Sequence, residues 1–100
     1  MFMKILVVSN YRGLHTCRPE AEIFIGLSRL GYDITIMTYP DAVYIERFRS
    51  NGIKVIPQHP NKRFDPAFIK RLRAELATGS YDILQLYNYK AISNGVQAVQ

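Results

Sequence analysis

The stretch KILVVSNYRGLHTCRPEAEIF, residues 4–24, decides the fold. An apolar run at Ile5–Val8 leads into a polar corner that contains Gly13, and Pro19 and Glu20 then open a second apolar segment. An unbroken run of Ile, Leu and Val is typical of a strand that is buried on both faces. Proline at the first helical position and a carboxylate in the first turn are typical of a helix start. The stretch therefore predicts a buried strand, a polar connection and a helix.

The same alternation of short apolar runs and helix-like segments continues along the chain. Asp41 is expected to cap a short second helix, and Asp65 followed by Pro66 is a strong helix start. We expect strands at Lys4–Ser9, Ile34–Thr38, Ile53–Ile56 and Tyr81–Tyr87, and helices at Pro19–Leu30, Ala42–Ser50, Pro66–Thr78 and from Ala91 onward. This order predicts an α/β fold, a Rossmann-like parallel sheet of about four strands with helices on both faces.

The length bounds the organisation of the chain. One hundred residues suit one small domain or part of a larger protein, and we interpret residues 1–100 as a single N-terminal domain. The single cysteine, Cys17, cannot form an internal disulfide, which favours a reducing, cytoplasmic setting. The first apolar run is too short for the core of a secretory leader or for a membrane span.

The net charge of +5 is concentrated in the second half of the chain. Residues 51–100 carry seven Lys or Arg and three Asp or Glu, against six and five in residues 1–50. Lys70, Arg71 and Arg73 leave the apolar stripe of the third helix free, so they could contact the anionic inner face of a membrane. The alternative is an ordinary solvated helix face. Nucleic acid is not an expected partner, because no recognised binding motif accompanies the charge.

The polar corner after the first strand is the first candidate site. Ligands of open parallel sheets bind beyond the carboxyl ends of the strands. Gly13 allows close approach to the backbone, the helix start attracts anions, and Arg12 and Arg18 offer bidentate donors. A phosphate or a sugar phosphate could bind here; the alternative is a plain turn with solvated arginines. The dinucleotide fingerprint and the P-loop motif are both absent, which argues against those two nucleotide sites.

Few residues in the sequence are suited to acid–base or metal chemistry. His15 lies next to the helix start, where it could bind a sugar hydroxyl or act as a base. His59 also lies in a predicted strand-end loop, so it could face the same crevice in the same role, but an exposed loop histidine is the favoured interpretation. Cys17 is expected to be a small half-buried packing residue. Two separated histidines and one cysteine match no metal-ligand spacing, so no metal is expected.

Three segments carry a resemblance to a known family. MKILVVSN at residues 3–10 and RPEAEIFIGLSRLGYDITIMT at residues 18–38 resemble the opening of GT-B-fold glycosyltransferases. These are the nucleotide-sugar-dependent, mostly retaining enzymes of the group 1 or family 4 type. YDILQLYN at residues 81–88 looks like the fourth-strand element of that family. The resemblance covers essentially the whole chain and rests on the order and spacing of these segments.

The resemblance implies a function and a set of contacts. The chain would be the N-terminal, acceptor-binding half of a GT-B enzyme. The nucleotide sugar would be held largely by a C-terminal domain, without which the chain would be inactive. Gly13 and Leu14 would offer backbone N–H groups to the donor diphosphate, and catalysis would need neither metal nor cofactor. His15 is the candidate catalytic residue. The expected substrate-binding residues are Asn10, Gly13, Leu14, His15, Arg18, Asn88, Tyr89 and Lys90.

The sequence departs from the family pattern at two places, and other functions stay open. Gln85 and Tyr87 stand where the family has paired histidines, and Gly13 stands where it usually has two glycines. One alternative is a stand-alone flavodoxin-like module that binds a phosphate or nucleotide, and another is a basic membrane-docking domain. A receiver domain would need paired acidic residues after the first strand, where Ser9 and Asn10 stand.

Overall fold

The computed structural model describes residues 3–11 and 19–100. It contains one sheet of four parallel strands in the order β3-β2-β1-β4. The strands are β1 (Lys4–Val8), β2 (Asp33–Met37), β3 (Lys54–Ile56) and β4 (Ile83–Leu86), and the helices are α1 (Pro19–Arg29), α2 (Ile45–Ser50), α3 (Pro66–Gly79) and α4 (Tyr89–Val99). The α/β, Rossmann-like architecture expected from the sequence is therefore confirmed.

Two hydrophobic cores cover the two faces of the sheet. On one face α1 and α2 pack on Ile5 and Val7 of β1, and on the other α3 and α4 pack on Leu6 and Val8. The chain steps from β1 to β2 to β3 in one direction and then crosses back to β4. Right-handed crossovers require the helices of those two directions to lie on opposite faces, as they do here. Since both faces of β1 are covered, its unbroken apolar run is explained.

The helix α2 begins three residues later than expected, and Asp41 is not its cap. Tyr44 occupies the N-cap position without a side-chain cap bond. The backbone N–H of Ala42 donates to the Tyr39 carbonyl, and that of Val43 donates to the Tyr11 carbonyl. These bonds hold residues 42 and 43 against the segments that follow β2 and β1, and the helix begins at Ile45.

The last strand and helix also differ in their bounds from the expected ones. The strand β4 begins at Ile83 rather than Tyr81, and α4 begins at Tyr89 rather than Ala91. The Asn88 side chain accepts a hydrogen bond of 2.9 Å from the Ala91 N–H, so Asn88 is the N-cap of α4. The expected start at Ala91 is two residues late, because Asn88 is a helix cap as well as an expected site residue.

The start of α3 agrees with its sequence signal. The Asp65 carboxylate accepts from the Phe68 N–H at 3.2 Å, and Pro66 follows at the first helical position. At the other end Ser80 takes the left-handed conformation, with φ of 56°, that ends the helix. Within residues 3–11 and 19–100, no helix is long and apolar enough to cross a membrane.

Candidate functional site

The strand order creates a crevice at the carboxyl edge of the sheet. The chain leaves β1 toward β2 on one side, whereas β4 lies on the other side of β1. Connections that leave neighbouring strands in opposite directions open a cleft, and ligands of such sheets bind there. The Tyr87 N–H donates to the Val8 carbonyl at 3.1 Å, so the end of β4 lies directly beside the end of β1.

Half of the expected substrate-binding residues belong to the described part of the chain. Asn10 follows β1 in the half-buried position that borders this crevice, and Asn88, Tyr89 and Lys90 follow β4 at the start of α4. Gly13, Leu14, His15 and Arg18 lie outside the described residues, as do Arg12 and Cys17.

Tyr11 anchors the segment that leaves β1. Its N–H donates to the Thr38 hydroxyl at 3.3 Å, and its carbonyl accepts from the Val43 N–H. Its ring is fully buried and packs edge-on against Phe48 at a centroid distance of 5.1 Å. The backbone on the α1 and α2 side of the crevice is therefore held firmly as far as residue 11.

His59 is buried, which corrects the expectation of an exposed loop histidine. Only 6% of its surface is accessible, and its ring lies 4.2 Å from the Tyr39 ring, centroid to centroid. Its Nδ1 lies 2.9 Å from the Pro60 carbonyl oxygen, and its Nε2 lies 2.9 Å from Asn88 Nδ2. The sequence offered no signal for this burial, since Tyr39 and Asn88 follow β2 and β4 and lie 20 or more positions away.

The cap of α4 determines the protonation of the His59 ring. Asn88 Oδ1 accepts from the Ala91 N–H, so the amide group of Asn88 must direct its NH₂ toward His59. His59 Nε2 is then the acceptor, and Nδ1 carries the hydrogen that is donated to the Pro60 carbonyl. The imidazole is therefore neutral, and both of its nitrogens are hydrogen-bonded. Asn88 thus links the segment that follows β4 to the segment that follows β3.

A cavity of about 360 Å³ opens beside this pair, between the ends of β2 and β3 and the start of α3. Its walls include the rings of Tyr39, His59 and Phe68, and exposed Gln58 and Asn61 stand on its rim. Asp65 also lines it, and the pKa of that carboxyl is held below its ordinary value, chiefly because the Asn61 N–H donates to it. A cavity with aromatic walls, two amides and an ionised carboxylate suits a ligand with several hydroxyl groups.

A buried amide on α4 holds the β3–α3 connection in place. Asn94 is fully buried; its Nδ2 donates to the carbonyls of Lys62 and Lys90 at 2.8 Å, and its Oδ1 accepts from the Asp65 N–H at 2.7 Å. A buried side-chain amide is stable only when its donors and acceptor are hydrogen-bonded. These bonds therefore fix the Asp65 side of the cavity to α4. Asn94 is not among the site residues expected from the sequence.

Tyr89 and Lys90 lie at the outer end of this arrangement. Both side chains are exposed, and the Arg63 guanidinium lies over the Tyr89 ring at 4.9 Å from its centroid and donates to its hydroxyl. A cation above an aromatic face is stabilised by the ring quadrupole. The pair leaves a basic, aromatic rim at the crevice.

Gln85 and Tyr87, the two positions that differ from the GT-B sequence pattern, lie on β4 and just after it. Gln85 is exposed on the edge strand, and the Tyr87 ring packs edge-on against Phe24 of α1 at 5.9 Å. Partial burial raises the pKa of the Tyr87 hydroxyl. Tyr87 is therefore a hydrogen-bonding and packing group at neutral pH.

Two of the three cations predicted to contact a membrane have intramolecular partners. Arg71 donates to Glu75 at 3.0 Å, and Arg73 donates to the carbonyls of Gln97 and Ala98 at the end of α4. Lys70 is exposed beside an open groove between α3 and α4.

In the described part of the chain no three His, Cys, Asp or Glu side chains converge on one point. Comparison with known proteins brings no further constraint on the site. No family model matches the chain, and no curated protein and no solved structure is significantly similar to it.

Proposed function

We propose that this chain is the acceptor-binding part of a glycosyltransferase that uses a nucleotide sugar. The observation that carries the proposal is the reversal of strand order between β1 and β4, with Asn88 at the reversal joined to the cavity through His59. Sheets of this kind bind ligands at that point. The sequence segments that resemble GT-B enzymes supply the reaction class.

The cavity beside His59 is the proposed acceptor pocket. A sugar ring needs an apolar wall and several fixed hydrogen-bond partners, and the cavity offers the Tyr39 ring, the amides of Gln58 and Asn61 and the carboxylate of Asp65. The Tyr39 and His59 rings, which form two of its walls, come from different connections. The Tyr39 hydroxyl and His59 Nδ1 hold them together because both donate to the Pro60 carbonyl. An acceptor bound there would face the crevice across Asn88.

The donor side of the proposal rests on the sequence resemblance. Gly13 and Leu14 would contact the donor diphosphate through backbone N–H groups, and Arg18 would supply positive charge. His15 would lie at the cleft as the candidate base. The rest of the donor site would come from a second domain, so the chain alone is expected to bind acceptor without transferring sugar.

Ligand-observed and protein-observed NMR test the proposal. The chain is titrated with methyl glycosides of glucose, galactose, mannose and N-acetylglucosamine, and separately with UDP-glucose and GDP-mannose. We expect millimolar binding of at least one glycoside, with amide shifts at Gln58, Asn61 and Asn88, since a single sugar buries little surface. The variant Asn61→Ala should weaken that binding at least several-fold.

The control is Asn51→Ala, which removes a half-buried amide at the end of α2, away from the carboxyl edge. Binding should be unchanged in this variant. The absence of any glycoside-induced shift, or shifts confined to the amino edge of the sheet, would contradict the acceptor role. Shifts with the nucleotide sugars alone would favour a nucleotide-binding module instead.

Peripheral contact with an anionic membrane through Lys70, Arg71 and Arg73 stays a prediction. Charge reversal at Arg71 or Arg73 would also remove their contacts with Glu75 and α4, so Lys70→Glu is the cleaner variant. If the contact exists, this variant should bind vesicles of phosphatidylglycerol more weakly than the unchanged chain, by about threefold or more. Equal binding of the two proteins would contradict it.

A further inference from the structure

Three cationic residues come together where the β3–α3 connection contacts the start of α4. Lys62 and Arg63 of that connection, and Lys90 in the first turn of α4, form what we call the basic cluster. The buried Asn94 Nδ2 lies within 3.2 Å of all three backbone carbonyl oxygens. The Ser93 hydroxyl also donates to the Arg63 carbonyl, at 2.7 Å. Two polar side chains of α4 therefore hold the three backbones close together.

The side chains of the basic cluster are exposed, and none of them forms an ion pair with an acid among residues 3–11 and 19–100. Arg63 contacts an uncharged group instead. Its guanidinium lies 4.9 Å from the centroid of the Tyr89 ring and donates to the Tyr89 hydroxyl. This contact orients the guanidinium and leaves its other N–H groups open to a ligand. Cations that are held together in this way create a positive potential that attracts anions.

Asp65 offsets only part of this charge. Its carboxylate accepts from the N–H groups of Asn61 and Phe68, at 3.1 and 3.2 Å, as the cap of α3. The pKa of Asp65 is held below its ordinary value chiefly by the Asn61 N–H, and the charge of Lys62 contributes as well. Three cations against one carboxylate leave the positive charges in excess.

The basic cluster lies beside the cavity that is proposed to hold the acceptor. Asn61 and Asp65 line that cavity, and Lys62 and Arg63 stand between them in the same turn. The Asn61 N–H donates to the Asp65 carboxylate at 3.1 Å, so the turn is compact. Because the cavity and the cluster share this turn, a ligand bound in the cavity can extend a charged substituent to the cluster.

We propose that the basic cluster is a phosphate-binding site and that the acceptor of this chain is a sugar phosphate. The sugar half of this inference rests on the proposed function, whereas the phosphate half rests on the cluster alone. The terminal oxygens of a phosphate monoester accept charge-assisted hydrogen bonds, which suits a forked guanidinium beside two ammonium groups. A neutral sugar would leave the charges of the cluster without a partner.

Protein-observed NMR titration tests both halves. Glucose, galactose, mannose and N-acetylglucosamine are each added as the methyl glycoside, the 1-phosphate and the 6-phosphate, and inorganic phosphate is added alone. At least one sugar phosphate should bind about tenfold or more tightly than its glycoside, because charge-assisted hydrogen bonds are gained. This sugar phosphate and inorganic phosphate should both shift the Arg63 and Lys90 amides, and added salt should weaken the binding of both.

Removal of single charges from the cluster identifies the site. Arg63→Gln and Lys90→Gln should each lower the preference for the sugar phosphate over its glycoside by about threefold or more. Arg49→Gln is the matched control, because it removes an exposed cation of α2, on the opposite face of the sheet. It should keep the preference of the unchanged chain, and circular dichroism should show that all three variants are folded.

The outcomes separate this inference from the proposed function. Glycosides that bind as tightly as every corresponding phosphate would overturn the inference and leave the acceptor role intact. If no glycoside binds, the acceptor role fails, but shifts of Arg63 and Lys90 with inorganic phosphate would still support the phosphate site. The absence of those shifts, an equal loss of preference in Arg49→Gln, or tighter binding of dihexanoyl phosphatidic acid than of every sugar phosphate would overturn the inference.

Discussion

At the scale of single residues, the side-chain amide of Asn88 makes two hydrogen bonds with separate roles. Its oxygen caps α4 and its nitrogen donates to His59, so the start of a helix and the state of an imidazole depend on each other. Asn88 is an expected site residue through the resemblance, whereas His59 was expected to be an exposed loop histidine. Proximity along the chain does not reveal such a pair, because 29 positions separate its members.

This geometry predicts the tautomer of His59. Neutral histidine in water prefers a hydrogen on Nε2, but here Nε2 accepts from Asn88 and Nδ1 donates to Pro60. Long-range proton–nitrogen NMR spectra should show His59 with its hydrogen on Nδ1, and His15→Gln removes the only other histidine signal. Asn88→Asp keeps a cap acceptor but removes the donor, so it should change the His59 spectrum while α4 stays folded. A hydrogen on Nε2 in the unchanged chain would contradict the assignment.

At the scale of elements, two helical glycines have opposite environments. A Cβ on Gly95 of α4 would lie 2.5 Å from Leu86 Cδ1 of β4, whereas one on Gly26 of α1 would meet nothing within 4 Å. Gly95 therefore lets α4 approach the edge strand closely, and Gly26 has no such role. The sequence contains both as glycines in helical segments and does not tell them apart.

The two substitutions to alanine should shift stability in opposite directions. Gly26→Ala should stabilise the chain by about 0.5–1 kcal/mol through helix propensity, which for this size corresponds to a rise in Tm of about 4–8 °C per kcal/mol. Gly95→Ala should lower Tm because Leu86 must move or α4 must tilt away. Thermal unfolding followed by circular dichroism measures both. An equal rise in the two variants would show that the α4–β4 approach is looser than described.

A second element-scale contact joins α3 to the start of β4. The Tyr81 hydroxyl donates to Glu75 Oε2 at 2.6 Å, and Arg71 donates to Oε1 at 3.0 Å. The hydrogen bond from Tyr81, followed by that from Arg71, holds the pKa of Glu75 below its ordinary 4.5. Burial and the same carboxylate raise the pKa of Tyr81 from 10.0 to about 12.

These shifts predict how stability depends on pH. A carboxylate with a lowered folded pKa stabilises the fold fully above its ordinary pKa and loses that effect as pH falls through the folded value. Tyr81, with a raised pKa, stabilises below pH 10 and loses its effect as pH rises toward 12. Tyr81→Phe should lower the free energy of unfolding by about 1–2 kcal/mol at neutral pH. When the pH is moved into acid or alkali, the variant should lose less further stability than the unchanged chain does. Urea unfolding at a series of pH values measures this. If the free energy of unfolding of the variant depended on pH as steeply as that of the unchanged chain, the prediction would be wrong.

At the scale of the whole molecule, the strand order makes β1 the centre of the fold. It pairs with β2 on one side and β4 on the other, and Leu6, Val7 and Val8 are fully buried. β3 lies at one edge and β4 at the other. The order determines which connections meet at the crevice.

Hydrogen exchange should report this order. Amides of β1 and β2 should exchange slowest, because they are covered on both faces and paired along both edges. Amides of β3 should exchange faster by at least tenfold, since β3 is a short edge strand of three residues. Slower exchange in β3 than in β1 would contradict the order β3-β2-β1-β4.

The sequence by itself determined the element types, their order and the parallel class of the sheet. The unbroken apolar runs, the Asp65-Pro66 start of α3 and the polar corner after β1 are local signals that depend on neighbours within one or two turns. The start of α2 could not be found this way, because Val43 is positioned by a hydrogen bond to the Tyr11 carbonyl, which lies in the connection after β1. Only the tertiary structure decided the strand order, the burial of His59 against Asn88, the role of Asn94 and the assembly of the basic cluster. Each of these depends on contacts between segments that are 20 or more residues apart, which local patterns do not encode.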